Sequence, residues 1–277
     1  MKWRNVFAIV KKDLTEVRQN KAAWLPMVIA PAIIILLLPL GMILIPQASS
    51  AGMQSFTDTQ DLGAFLNNLP VGLSQIIQGL DPFQEVIVLI LGYLLAPLFL
   101  IFPLAFSSVV AAESFAGERE RKTMEALLYT PATDLELFAG KVVTALIPAL
   151  GISWLSFVGY TIVLDIAAFP VFGYIWFPLP SWYPLIFWIT PALAMLGILV
   201  TVLISSKVQT FMGAYQLSAA LVVLVLGLIG GQLSGILYLS VGTGILIGLF
   251  FWLVDAILAY IAIRNFKRST LLLGLKP

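Results

Sequence analysis

Residues 113–141 read ESFAGERERKTMEALLYTPATDLELFAGK, and the fold follows from what lies on either side of them. This is the longest charged segment in a chain of 277 residues that is 60% apolar and only 10% charged. It is bounded by two apolar runs, 86–112 and 142–164, each long enough to cross a bilayer. So much apolar surface exceeds what one soluble core of this size can bury, which makes the chain an integral membrane protein. A net charge of +1 gives no electrostatic reason to expect nucleic acid or another polyanion as partner. With no cysteine and no histidine, thiol nucleophiles, imidazole bases and the usual zinc ligands are excluded, so any acid–base or metal chemistry falls to carboxylates.

Working outward, four further apolar runs stand at about 22–45, 184–204, 211–229 and 241–263, giving six spans. Before the first, residues 1–21 place Trp3, Val6, Phe7, Val10, Leu14 and Val17 at helical spacing on one face, with Lys2, Lys11, Lys12, Asp13, Arg18 and Lys21 around the rest. That pattern predicts an amphipathic helix lying in the membrane interface. Pro26, Pro31 and Pro39 interrupt the first span and Pro97 and Pro103 the second. Each frees backbone carbonyls that neighbouring helices must satisfy, so a packed bundle is expected. Between the first two spans, Thr57 and Gln60 match a capping box that opens a short helix bearing Leu62, Phe65, Leu66 and Leu69. Phe169, Tyr174, Trp176, Phe177, Trp182 and Tyr183 form an aromatic stretch suited to the headgroup layer.

Charge placement orients the bundle. All 15 Lys and Arg fall in 1–21, 113–141, 205–210 and 264–277, and none in the intervening connections. By the positive-inside rule those segments, both termini included, are expected in the cytoplasm.

Within 113–141, Glu118 with Lys122 and Arg121 with Glu125 stand four apart, the spacing of ion pairs on a helix continuing from span two into water. Thr130 before Pro131 should end that helix. Thr133-x-x-Glu136 is a capping box that opens a second helix at Asp134, expected to stop at Gly140 and to carry Leu135, Leu137 and Phe138. A helix of under two turns must be held by packing, either on the bilayer or on another protein.

Glu118, Arg119, Glu120, Thr123, Glu125, Leu127, Leu128, Thr130, Pro131, Glu136, Gly140 and Lys141, in this order and spacing, resemble the cytoplasmic loop of ABC-2 type permeases. These are membrane subunits of ATP-binding-cassette exporters, and the resemblance is closest to the sodium- and drug-efflux branch of bacteria and archaea. It implies an all-α membrane protein: six transmembrane helices, an N-terminal connecting helix at 1–21, a coupling loop at 113–141 and a basic cytoplasmic tail at 265–277. It implies a coupling helix at Asp134, Leu135, Glu136, Leu137 and Phe138 resting on a separate cytoplasmic ATPase subunit. Glu118, Arg119, Glu120, Glu125 and Lys141 would then form a charge cluster near that contact. The resemblance further implies a second copy or homologous permease as dimer partner, and the inner membrane of a bacterium or archaeon as location.

The sequence has no G-x-x-x-x-G-K-[ST], and its one Gly-Lys pair, Gly140-Lys141, precedes Val142. ATP and magnesium would therefore belong to the partner, and this chain is expected to be neither an enzyme nor a cofactor carrier. Asp255 is the one ionisable residue well inside a span. It is a candidate for the substrate pathway, or else a hydrogen-bonded carboxyl packed on Ser153, Ser156 or Tyr160. Gly244-x-x-x-Gly248 has the spacing of a close helix contact. Two other classes stay open: a membrane-embedded enzyme, which would need clustered carboxylates free of cations, and a stand-alone transporter or channel, which would show internal repeats. A pathway lined by apolar helices suits lipids or amphipathic compounds.

Overall fold

The computed structural model describes residues 2–19, 21–48, 71–121, 123, 132–208 and 210–265. The expected helix after Thr57, Glu125 and most of the basic tail lie outside them. Among the described residues the secondary structure is entirely helical. In chain order we number α1 (Trp3–Gln19), α2 (Lys21–Gln47), α3 (Val71–Ile77), α4 (Pro82–Glu120), α5 (Asp134–Phe172), α6 (Trp182–Ser205), α7 (Phe211–Leu233) and α8 (Val241–Asn265). Six of them, α2 and α4 to α8, are long and apolar enough to cross a membrane.

Burial sorts these six into a centre and a rim. The apolar stretches of α4 and α6 are 78% and 72% buried, against 22%, 17% and 22% for α2, α7 and α8. Accordingly α4 packs along α6, α5 and α7, while α2 lies on α5, α8 on α6, and α7 also touches α6. The rim helices turn Leu37, Ile45, Leu226, Phe250, Leu253 and Ile257 outward, the surface a bilayer would cover.

Prolines and close contacts shape the centre. Around Pro97, α4 leaves regular α geometry: a π turn at Val88–Leu94, with Leu95 N–H donating to Ile90 O, runs into a tighter turn at Ala96–Leu100. The three carbonyls before this kink are taken by side chains. Tyr160 Oη donates to Leu91 O (2.8 Å), Trp182 Nε1 to Gly92 O (2.6 Å) and Gln232 Nε2 to Tyr93 O (3.5 Å). The proline expectation is thus met here by residues of α5, α6 and α7. Where α6 crosses α4, a Cβ at Gly197 would stand 2.5 Å from Ser107 Oγ, so only glycine permits that approach.

Two assignments in the aromatic stretch need correction. Phe177 and Trp182 are buried core, not headgroup anchors, and pack in one cluster with Phe99, Phe157 and Tyr160. Trp182 stacks on Tyr160 at 5.6 Å between centroids, and its indole N–H finds a freed carbonyl, which removes the cost of burying it. Phe169, Tyr174 and Tyr183 do face outward.

Candidate functional site

The charged stretch and the N-terminal helix meet at one end of the bundle. Along α1 the residues Val6, Ile9, Val10, Asp13 and Val17 share a face and are buried, while Trp3 and Phe7 point away. The apolar stripe read from the sequence therefore divides. One edge packs on the start of α5, and Trp3 and Phe7 stay exposed on the other side.

The capping box at the start of α5 forms as expected: Glu136 N–H donates to Thr133 Oγ1 (3.3 Å) and Thr133 N–H to Glu136 Oε2 (3.1 Å). The same carboxylate also accepts from Lys2 N–H (2.5 Å) and Asn5 Nδ2 (3.0 Å), so one side chain caps α5 and grips the first turn of α1.

Gly140 does not end this helix. The chain stays α-helical from Asp134 to Phe172 through Gly140 and past Lys141, so there is no free two-turn knob. The glycine serves packing instead. A Cβ there would lie 2.9 Å from Ile9 Cγ2, and its absence is the notch that seats Ile9. Leu137 packs with Ile9 and Ala132, and Phe138 joins the cluster around Val17 and Phe115. Glu136, Leu137 and Phe138 are thus buried inside the chain. Of the expected coupling residues only Leu135, 47% exposed, still offers an apolar side chain outward, beside half-buried Asp134.

Beneath this contact lies a buried charge junction. Lys141, 1% exposed, donates from Nζ to Glu118 Oε2 (2.5 Å) and Ser114 O (2.6 Å), and stands 3.6 Å from Asp13 Oδ2. Lys12 Nζ sits among three carboxylates, 2.9 Å from Glu118, 3.2 Å from Glu16 and 3.4 Å from Asp13. Asp13, Glu16 and Glu118 converge closely enough to suggest a metal centre. The Lys12 ammonium already stands where a cation would, so the arrangement is an ion-pair network. Burial pushes the Asp13 carboxyl above the ordinary carboxylate range, with Lys141 opposing this and Glu118 adding to it. For Lys12, burial favours the neutral amine but is outweighed by the hydrogen bond and charge of Glu118, so its pKa is raised.

Three consecutive residues at the end of α4 reach three directions. Glu118 ties α1 to α5. Arg119 Nη1 donates to Ser205 O (2.6 Å) at the C-terminus of α6, and Glu120 Oε2 accepts from Phe211 N–H (2.8 Å) at the N-terminus of α7. A cation at the first helix end and an anion at the second both match the helix dipoles. Arg121 turns back to Glu113 (2.8 Å). The helix expected to run on into water is therefore buried through Glu118, by way of a π turn at Glu113–Gly117. Lys122 and Glu125, the expected i,i+4 partners, lie outside the described residues.

Sequence reasoning missed Lys12 and Asp13. The signal was present: Asp13 stands in register with Val6, Ile9, Val10 and Val17, a carboxylate on the buried stripe of an amphipathic helix.

Asp255 is buried in α8 at 2% exposure, and neither carboxylate oxygen has a hydrogen-bond partner among the described residues. The partners expected on α5 are not there: Ser153 Oγ donates to Ala149 O and Tyr160 Oη to Leu91 O, and α8 packs on α6. Gly244 and Gly248 do make close contacts, against Pro184 and Trp188.

Six apolar helices, two of them about three-quarters buried inside the bundle, define a multi-pass membrane protein. A family model described as ABC-2 family transporter protein matches residues 7–271, nearly the whole chain, and the protein belongs to that family. It is a membrane permease component of the ABC-2 class. Searches of curated proteins and of solved structures returned no match.

Proposed function

We propose that this chain is the permease half of an ATP-driven exporter, and that the end of the bundle holding the charge junction is where a separate cytoplasmic ATPase subunit pushes. The observation that carries the reading is the junction itself: Glu118, Arg119 and Glu120 join the end of α4 to α1, α5, α6 and α7. Force applied at the start of α5 reaches four helices at once through short bonds, of which the central one, Lys141 to Glu118, is buried. A linker between two spans has no need of such a hub.

On this reading the docking feature is the first turn of α5, with Leu135 and Asp134 outermost. ATP closing two ATPase subunits moves that turn, and α4 and α5 tilt as levers between inward-open and outward-open states. Two copies of the chain, or one with a homologous permease, would enclose the pathway in the inner membrane of a bacterium or archaeon, with both termini cytoplasmic. The cargo is an amphipathic or lipid-like compound, in keeping with the apolar spans.

The test is Leu135→Asp in the assembled complex reconstituted in vesicles. The side chain is exposed, so folding should be unaffected. The expected result is loss of ATPase stimulation or of co-purifying ATPase. Full stimulation and full assembly would refute the coupling role.

A further inference from the structure

Asp255 presents a physical problem that the permease reading leaves open. It lies in α8 nine residues before Arg264, about 13 Å from that end at helical rise, and is 2% exposed. A carboxylate buried at such depth is costly unless it is paired. The helix against which α8 packs, Trp182–Ser205, contains no Asp, Glu, Lys or Arg, so this contact brings no countercharge. Both carboxylate oxygens are unpartnered among the described residues.

The flank of this carboxylate is aromatic. Trp252, three residues earlier and therefore on the same side of α8, is half-buried with its indole Nε1 also unpartnered. Its ring lies 5.9 Å from that of Trp188 on α6. The Trp188 ring is held on the α8 backbone, where Nε1 donates to Ile245 O (3.2 Å). A Cβ at Gly248 would stand only 2.2 Å from its Cδ1. Trp188 is 39% exposed on the outer surface that lipid would cover. A bare metal ion asks for a shell of several oxygens, whereas here a single carboxylate has the Trp252 indole one turn before it on the same face of α8, with the Trp188 ring next to that indole. That combination suits a large, weakly hydrated organic cation, which needs one countercharge and aromatic faces.

We infer that Asp255, with Trp252 and Trp188, forms a recognition point for a lipophilic organic cation reaching it from the lipid side between α6 and α8. Carriage of that cation across the membrane rests on the permease reading, but its binding does not.

The experiment uses the full-length chain in lipid nanodiscs, without ATPase or nucleotide. A hydrophobic carbodiimide, which modifies carboxyl groups in apolar surroundings, is applied and adduct at Asp255 is quantified by peptide mass spectrometry. Tetraphenylphosphonium should lower labelling at least fivefold, while the neutral triphenylphosphine oxide and sodium chloride leave it unchanged. Equal protection by the neutral compound, protection by sodium alone, or a carboxyl that never labels would each overturn the inference. Never labelling is the outcome expected if the Trp252 indole simply donates to Asp255. Tetraphenylphosphonium binding measured directly should weaken at least tenfold in Asp255→Asn and stay within about threefold in Asp255→Glu. Because the labelling arm uses the unaltered chain, poor folding of a variant does not rescue the idea. Loss of ATPase coupling elsewhere, with this protection intact, would count against the permease reading alone.

Discussion

Replacing Lys141 by methionine tests the charge junction at its most buried point. Lys141 and Glu118 are 1% and 2% exposed at their side chains and 2.5 Å apart. Removing one partner of such a pair leaves an uncompensated buried charge, which typically costs about 3–5 kcal/mol. Here Glu118 keeps Lys12 at 2.9 Å, whose side chain is 42% exposed and so a weaker substitute. The lower end of the range, about 3 kcal/mol or roughly a hundredfold in the unfolding equilibrium, is therefore expected. Glu118→Gln should cost more, because it removes the nearest countercharge of Lys141 and leaves Asp13, at 3.6 Å, as the one carboxylate beside it. The double variant Lys141→Met with Glu118→Gln should fall short of the sum of the two by about 1–3 kcal/mol, since neither charge is then stranded. The assay is reversible unfolding in mixed micelles followed by tryptophan fluorescence, run as a double-mutant cycle. A neutral Lys141→Met, or strict additivity, would refute the claim that these charges hold α1, α4 and α5 together.

Gly140→Ala should push α1 off α5, because the new Cβ would stand 2.9 Å from Ile9 Cγ2. About 1–3 kcal/mol of overpacking is expected, read as faster protease cleavage within residues 3–19. Gly248→Ala should displace the Trp188 ring at similar cost and shift its fluorescence, with little effect on the N-terminal helix. Stability should also depend on Asp13. Its folded pKa lies above the ordinary carboxylate value, so the folded state holds that proton more tightly. Docking of α1 should then be strongest below the ordinary value and weaken as pH rises through the raised one. Protease nicking of α1 measured against pH should show that slope, and Asp13→Asn should flatten it.

Much of the bundle was legible because hydropathy and charge are local quantities. The six runs, the split of Lys and Arg between segments, and the Thr133–Glu136 capping box can all be read within a few residues, and the helices and the cap follow them. What was misread depends on partners far away in the chain. Gly140 has the local look of a helix end, but its missing Cβ is filled by Ile9, more than a hundred residues away. Glu118 reaches Lys141 and Lys12, 23 and 106 residues away, because helix packing brings these to it in a low-dielectric setting where pairing is stronger, and no local spacing announces that. Phe177 and Trp182 belong to a proline-rich stretch of sequence that reads as interfacial. Only the carbonyls freed near Pro97 and the rings of α4 and α5 explain their burial.

The most direct measurement of the coupling claim is photo-cross-linking from position 135 in native membranes. With a benzophenone amino acid in place of Leu135, the account predicts an adduct to a nucleotide-hydrolysing subunit whose yield changes when ATP is trapped. Adducts to lipid alone, unchanged by nucleotide, would contradict it.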